Sequence, residues 1–140
     1  MNIEAFLLCQ CATDSAGKLN VLGAFDCLWA NKVPIVCPSC SVTARIRFSR
    51  IEQGDHNVRI NIIDEDGKAI SPNLQSSISV RLAENESSCI RNIILNILQL
   101  KFENYGHYRI DLAIDGRQEA SLPLNIIKVP DQKVTPPAAE

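Results

Sequence analysis

GHYRIDLAIDGRQEASLPLNI, residues 106–126, alternates apolar and polar side chains, reverses at Asp-Gly, and alternates again. A strand with one buried face has this period of two, because successive side chains point to opposite sides of a sheet. Tyr108, Ile110, Leu112 and Ile114 share one face, and Arg109, Asp111 and Ala113 the other. Asp115 and Gly116 supply the positive φ angles that a two-residue hairpin turn requires. The return run sets Ala120, Leu122, Leu124 and Ile126 on the matching face. Pro123 lies at the opposite parity and cannot donate a ladder hydrogen bond, which places this last strand at a sheet edge. An edge with an open row of N–H groups is a route to β-augmentation or self-pairing, so a homo-oligomer through this strand is expected.

The same grammar recurs upstream. Val42, Ala44, Ile46 and Phe48 alternate with Thr43, Arg45, Arg47 and Ser49. Gln53-Gly54-Asp55 breaks that run, and Val58, Ile60 and Ile62 follow. Asp66-Gly67 is a second tight-turn signal, Ser71-Pro72-Asn73 a further break, and Ile78, Val80 and Leu82 another strand. Residues 3–11 and 19–29 are more continuously apolar, as strands covered on both sides or at their rims would be. Residues 89–102, CIRNIILNILQLKF, also satisfy a helical spacing through Ile90, Ile93, Ile94, Ile97 and Leu98. Their β-branched run, two asparagines and lack of alanine favour a strand.

About eight or nine strands with regular breaks predict an all-β fold, an antiparallel two-sheet β-sandwich of immunoglobulin-like kind. Such sandwiches often carry a tyrosine at a corner, its ring in the core and its hydroxyl on nearby backbone. Tyr108 suits that role, and a plain core aromatic is the equal alternative. The chain of 140 residues reads as one domain over 1–129, large enough to bury a core without a metal or disulfide staple. Residues 130–140, Pro-rich and poor in large apolar groups, read as a flexible tail.

Composition narrows the function classes. A net charge of −2 lacks the basic excess that nucleic acid or an anionic membrane would attract. The start MNIEAFLLCQCATD has no basic region, and its apolar run is too short for a signal segment. No run approaches a membrane span. A cytoplasmic protein is therefore expected, its six cysteines mostly reduced.

The stretches KLNVLGAFDCLWA (18–30), ARIRFSRIEQGDHNVRINIIDEDGK (44–68) and GHYRIDLAIDGRQEASLPL (106–124) resemble a family of small uncharacterised bacterial proteins. The resemblance spans roughly residues 3–128. It implies a β-sandwich and, since the family has no assigned activity, transfers no catalytic residues.

Chemistry-bearing groups are sparse. Cys37 and Cys40 have CxxC spacing, and Cys9 and Cys11 would be needed to complete a four-thiolate zinc site. Cys9 and Cys11 sit two apart among apolar neighbours, so ordinary reduced cysteines are the preferred reading. His56 in a polar turn and His107 before a strand read as solvated. Asp64-Glu65-Asp66-Gly67 lacks the closing carboxylate of a calcium loop and reads as a hairpin turn. No cofactor is expected. Arg45, Arg47, Arg59 and Arg109 fall at the polar parity of their strands. If those strands share a sheet, the four guanidiniums form an anion-binding surface; the alternative is pairing with neighbouring acids. The leading reading is a non-enzymatic module that binds an unknown protein partner through a sheet face or an edge strand. A metal-dependent or hydrolytic enzyme whose loops gather Cys37, Cys40, His56 and Asp64 is the alternative, and an accessory subunit of a larger bacterial assembly is another.

Overall fold

A computed structural model describes residues 1–71 and 74–130. Its strands are β1 (Asn2–Ser15), β2 (Lys18–Ala24), β3 (Cys27–Ala30), β4 (Ile35–Ser49), β5 (Gly54–Ile63), β6 (Leu74–Val80), β7 (Ser88–Phe102), β8 (Gly106–Ile114) and β9 (Arg117–Lys128). One short 3-10 turn, Arg50–Glu52, follows β4. The fold is all-β, in two sheets ordered β2-β1-β4-β7 and β3-β9-β8-β5-β6. Every pairing is antiparallel except that of β3 with β9. No helix among the described residues is long and apolar enough to cross a membrane. Residues 131–140 of the expected tail, and Pro72 and Asn73 of the Ser71-Pro72-Asn73 break, lie outside the described residues.

The alternating positions make the core. Val42, Ala44, Ile46 and Phe48 of β4 join Val58, Ile60 and Ile62 of β5 and Tyr108, Ile110, Leu112 and Ile114 of β8, all buried in one cluster. Leu124 and Ile126 of β9 complete that side. Full burial of each such aliphatic or aromatic side chain stabilises by about 1.5–3 kcal/mol. Tyr108 packs edge-on against Phe102, ring centroids 5.0 Å apart. Its hydroxyl donates to the Asn104 carbonyl at 2.7 Å, the bond a tyrosine corner makes.

β7 shows why one segment imitates a helix. It pairs with β4 from Ser88 opposite Ser49 to Phe102 opposite Ile35. Cys89, Ile93 and Ile97 face the core, while Ile90, Ile94 and Leu98 lie on the other face. Each set repeats every four residues, and the two sets interleaved mimic the i, i+3, i+4 pattern of a helix. Gln99 then takes a φ of +55° opposite Pro38, and the facing resets so that Leu100 and Phe102 also enter the core.

β1 changes partner midway. Asn2–Cys9 pairs with β4, whereas Cys9–Ser15 pairs with β2. Ala16 and Gly17, with φ of +52° and +82°, close that hairpin. At its tip the Gly17 carbonyl accepts from Arg45 Nη1 at 3.3 Å and from Asn92 Nδ2 at 3.1 Å. The Asp14 carboxylate accepts from the same Asn92 amide at 3.1 Å. Arg45 stands opposite Ala5, so the hairpin has folded back over the outer face of its own sheet. That cover explains why Cys9, Ala12, Ser41 and Thr43 are buried although Cys9 and Ala12 lie outside the inter-sheet cluster. The polar pair beneath is satisfied: Thr43 donates to the Ile93 carbonyl at 2.8 Å and Ser41 to Asn96 at 2.6 Å. β2 itself is exposed, with Leu22 68% accessible. It departs from the covered strand expected of residues 19–29, because it caps another layer and nothing among the described residues caps it.

Candidate functional site

The four arginines do not meet. β4 belongs to one sheet and β5 and β8 to the other, so Arg45 and Arg47 face away from Arg59 and Arg109 across the whole sandwich. The condition for a shared anion surface fails at the level of strand order. Three of the four are engaged instead. Glu4 accepts from Arg45 at 3.1 Å and from Arg47 at 2.8 Å, and Arg47 first and then Arg45 hold its carboxyl below the usual range. Arg109 donates to the nearly buried Asp111 at 2.9 Å, and Ser121 donates to the same carboxylate at 2.8 Å.

The cysteines are dispersed. Cys40 is buried in the core, where burial, followed by the neighbouring Cys37 thiol, pushes its thiol up to about 12. Cys9 lies under the hairpin, its pKa raised by burial and then by Cys11, while Cys11 is exposed. No group of three His, Cys, Asp or Glu side chains among the described residues is placed to hold a metal ion. Asp64 closes a turn, its Oδ1 accepting from the Asp66 and Lys68 N–H groups at 2.9 Å, and Gly67 there has a φ of +79°. It lines clefts with Glu65, His107 and Tyr108 that neither Cys37, Cys40 nor His56 reaches.

His56 is the residue that sequence reasoning misplaced. It stands in β5, not in a polar turn, and stacks on Phe48 with centroids 5.1 Å apart. Nδ1 lies 2.6 Å from the Asp115 carboxylate and Nε2 lies 2.6 Å from the Glu52 carbonyl. The Glu52 carbonyl first, and then Asp115, raise its pKa. Asp115, with a φ of +52° in the β8–β9 turn followed by Gly116 at +80°, also accepts from the Asn57 N–H at 2.9 Å. That bond and His56 hold its carboxyl below its ordinary value. A carbonyl and a carboxylate can only accept, so the protonated ring is the form that satisfies both contacts, in keeping with the raised pKa. Burial works to raise the Glu52 carboxyl, but the Met1 amino group at 2.8 Å and the Ser49 N–H and hydroxyl outweigh it and bring it to about 2. Met1, Glu52, His56, Ile114, Asp115, Arg117 and Glu119 line a cleft of about 240 Å³. The cluster resembles an acid–base site in composition. With both ring nitrogens donating, the protonated ring clasps the Glu52 carbonyl and the Asp115 carboxylate.

The sheet edges remain. β9 is not an edge over its last turn of chain: β3 pairs parallel to it from Cys27 opposite Asn125 to Ala30 opposite Lys128. The reason is the crossing of the chain from β2 to the second sheet, which delivers a short strand outside β9. The Asn125 N–H donates to Asp26 on that side at 2.9 Å. Peptide groups alternate in direction, so Pro123 turns its nitrogen the same way, just beyond the start of β3, and no ladder bond is lost. β6 is shielded in part, because Arg91 donates to the Ser79 carbonyl at 3.1 Å. β7 differs. It is one of the two outermost strands of its sheet, β2 being the other, and no strand among the described residues pairs its far side. The Thr43 hydroxyl reaches the Ile93 carbonyl, which fixes odd-numbered peptide groups toward β4 and turns those of Asn92, Ile94 and Asn96 outward. That stretch carries no charge and no proline, and Leu98 at its end is 73% exposed. Nothing in the sequence marked β7 as an edge, because its apolar run reads as a strand buried between neighbours.

A family model described as a family of unknown function, DUF6941, matches residues 4–127. No curated protein matches the chain.

Proposed function

The chain belongs to DUF6941, a family without an assigned function, and from that premise we propose that it is a non-enzymatic binding module that recognises another chain through the outer edge of β7. It acts as one domain over residues 1–129 in the cytoplasm, where its six free cysteines stay reduced. The observation that carries the reading is the long, neutral edge of β7 with outward N–H and C=O groups at Asn92, Ile94 and Asn96, the template that strand addition requires. The clasped state of His56 supports the non-enzymatic half, since the principal cluster of acid–base groups is committed to holding the fold. A photo-reactive residue tests it. Placed at Leu98 in the living cell it traps a protein adduct, whereas at Ile51, which is 94% exposed in the turn after β4, it does not. Equal trapping at both positions, or none at Leu98, overturns the reading.

A further inference from the structure

Resting on that reading of the β7 edge, we infer that its partner is a second copy of the same chain, paired antiparallel about a two-fold axis through Ile94. The outward-lying residues of β7 run Ile90, Asn92, Ile94, Asn96, Leu98, a palindrome in chemical character about Ile94. Antiparallel two-fold pairing places each residue opposite its mirror position, because an isologous interface brings the same patch to both sides. Centred on Ile94, the pairing sets Ile94 against itself, Asn92 against Asn96 and Ile90 against Leu98. Apolar meets apolar and amide meets amide on every rung. The two cations of this strand, Arg91 and Lys101, then face Ile97 and Ser87 of the second copy, so no like charges are opposed.

The backbone agrees with the side chains. The peptide groups of Asn92, Ile94 and Asn96 all point away from β4, so the central rungs can each exchange paired N–H···O bonds with the second copy. Leu98, the most exposed apolar side chain of this strand, is covered by Ile90. Arg91, whose guanidinium shields β6 in part, also donates to the Ile90 carbonyl of β7 at 2.9 Å, so the open rungs of this edge are those of Asn92, Ile94 and Asn96. A foreign strand could use the same hydrogen bonds, but it would have no reason to find a palindrome. The product is one continuous eight-stranded sheet made of two four-stranded ones.

Sedimentation over a wide dilution series, combined with residue-resolved amide hydrogen exchange, tests this on the full chain. The unaltered protein dimerises, and exchange at Asn92, Ile94 and Asn96 slows as the dimer forms. Ile94→Lys and Ile94→Glu each oppose like charges at the axis and weaken self-association about tenfold, while an equimolar mixture of the two recovers a mixed dimer. Leu98→Lys, at a position too exposed to affect folding, weakens it in the same direction and serves if either Ile94 substitution unfolds the chain. A chain that stays monomeric throughout overturns self-pairing. Amides already protected in the monomer likewise overturn it. If they are protected only when another protein is added, the edge binds a foreign strand and the broader reading stands without the dimer. A dimer that both charge substitutions leave intact also overturns it.

Discussion

Replacing His56 with Gln tests whether the cleft beneath Met1 is a clasp. The imidazolium donates to the Glu52 carbonyl and to Asp115, both at 2.6 Å. A bond from a charged donor contributes about 1.5–3 kcal/mol when shielded. Asp115 has a side chain 51% exposed, so its share is discounted to about 0.5–1 kcal/mol. Gln retains at most one of the two bonds, giving a loss of about 2 kcal/mol in slightly acidic buffer. That loss lowers Tm by roughly 7 °C for a chain of this length. Because the folded pKa is raised, the stabilisation is complete below the ordinary histidine value and disappears as pH rises through the folded one. The titrating groups facing the ring are Asp115 and, through its neighbour Met1, Glu52; Arg117 and Glu119 line the same cleft. Urea unfolding of both proteins from about pH 5.5 to about pH 9 therefore shows a gap that narrows with rising pH. A pH-independent gap, or an NMR titration in which His56 is neutral with an ordinary pKa, refutes the imidazolium.

Two further outcomes are expected. Ala16 holds a left-handed φ of +52° in the β1–β2 turn, so Ala16→Gly raises stability by about 1 kcal/mol in chemical denaturation, and a loss would show that this turn is not strained. Asn92→Ala removes both side-chain bonds to the hairpin tip, and mass-resolved thiol labelling then modifies the buried Cys9 several-fold faster while Cys40 stays slow; an unchanged Cys9 rate would mean that the hairpin is held from elsewhere.

Much of this architecture is written in short-range pattern. Alternation at Tyr108–Ile114 and at Val42–Phe48 dictates which side chains enter the core, because the pleat that orients them is a property of the strand alone. The family resemblance over 3–128 and the match over residues 4–127 cover nearly the same stretch. Partner choice between strands is a different quantity. It is set by long-range burial and by where the chain crosses from one sheet to the other, so no local pattern revealed that Arg45 and Arg59 would lie on opposite outer faces. The same applies to β9, which Pro123 marked as an edge and β3 then covered over Asn125–Lys128 alone, and to β7, whose apolar run hid its place at the rim. His56 had an ordinary polar context in sequence; only the approach of Asp115 from fifty-nine residues away and the turn at Glu52 made it a cation held on both sides. Local sequence decides which way a side chain points, and tertiary pairing decides what it meets.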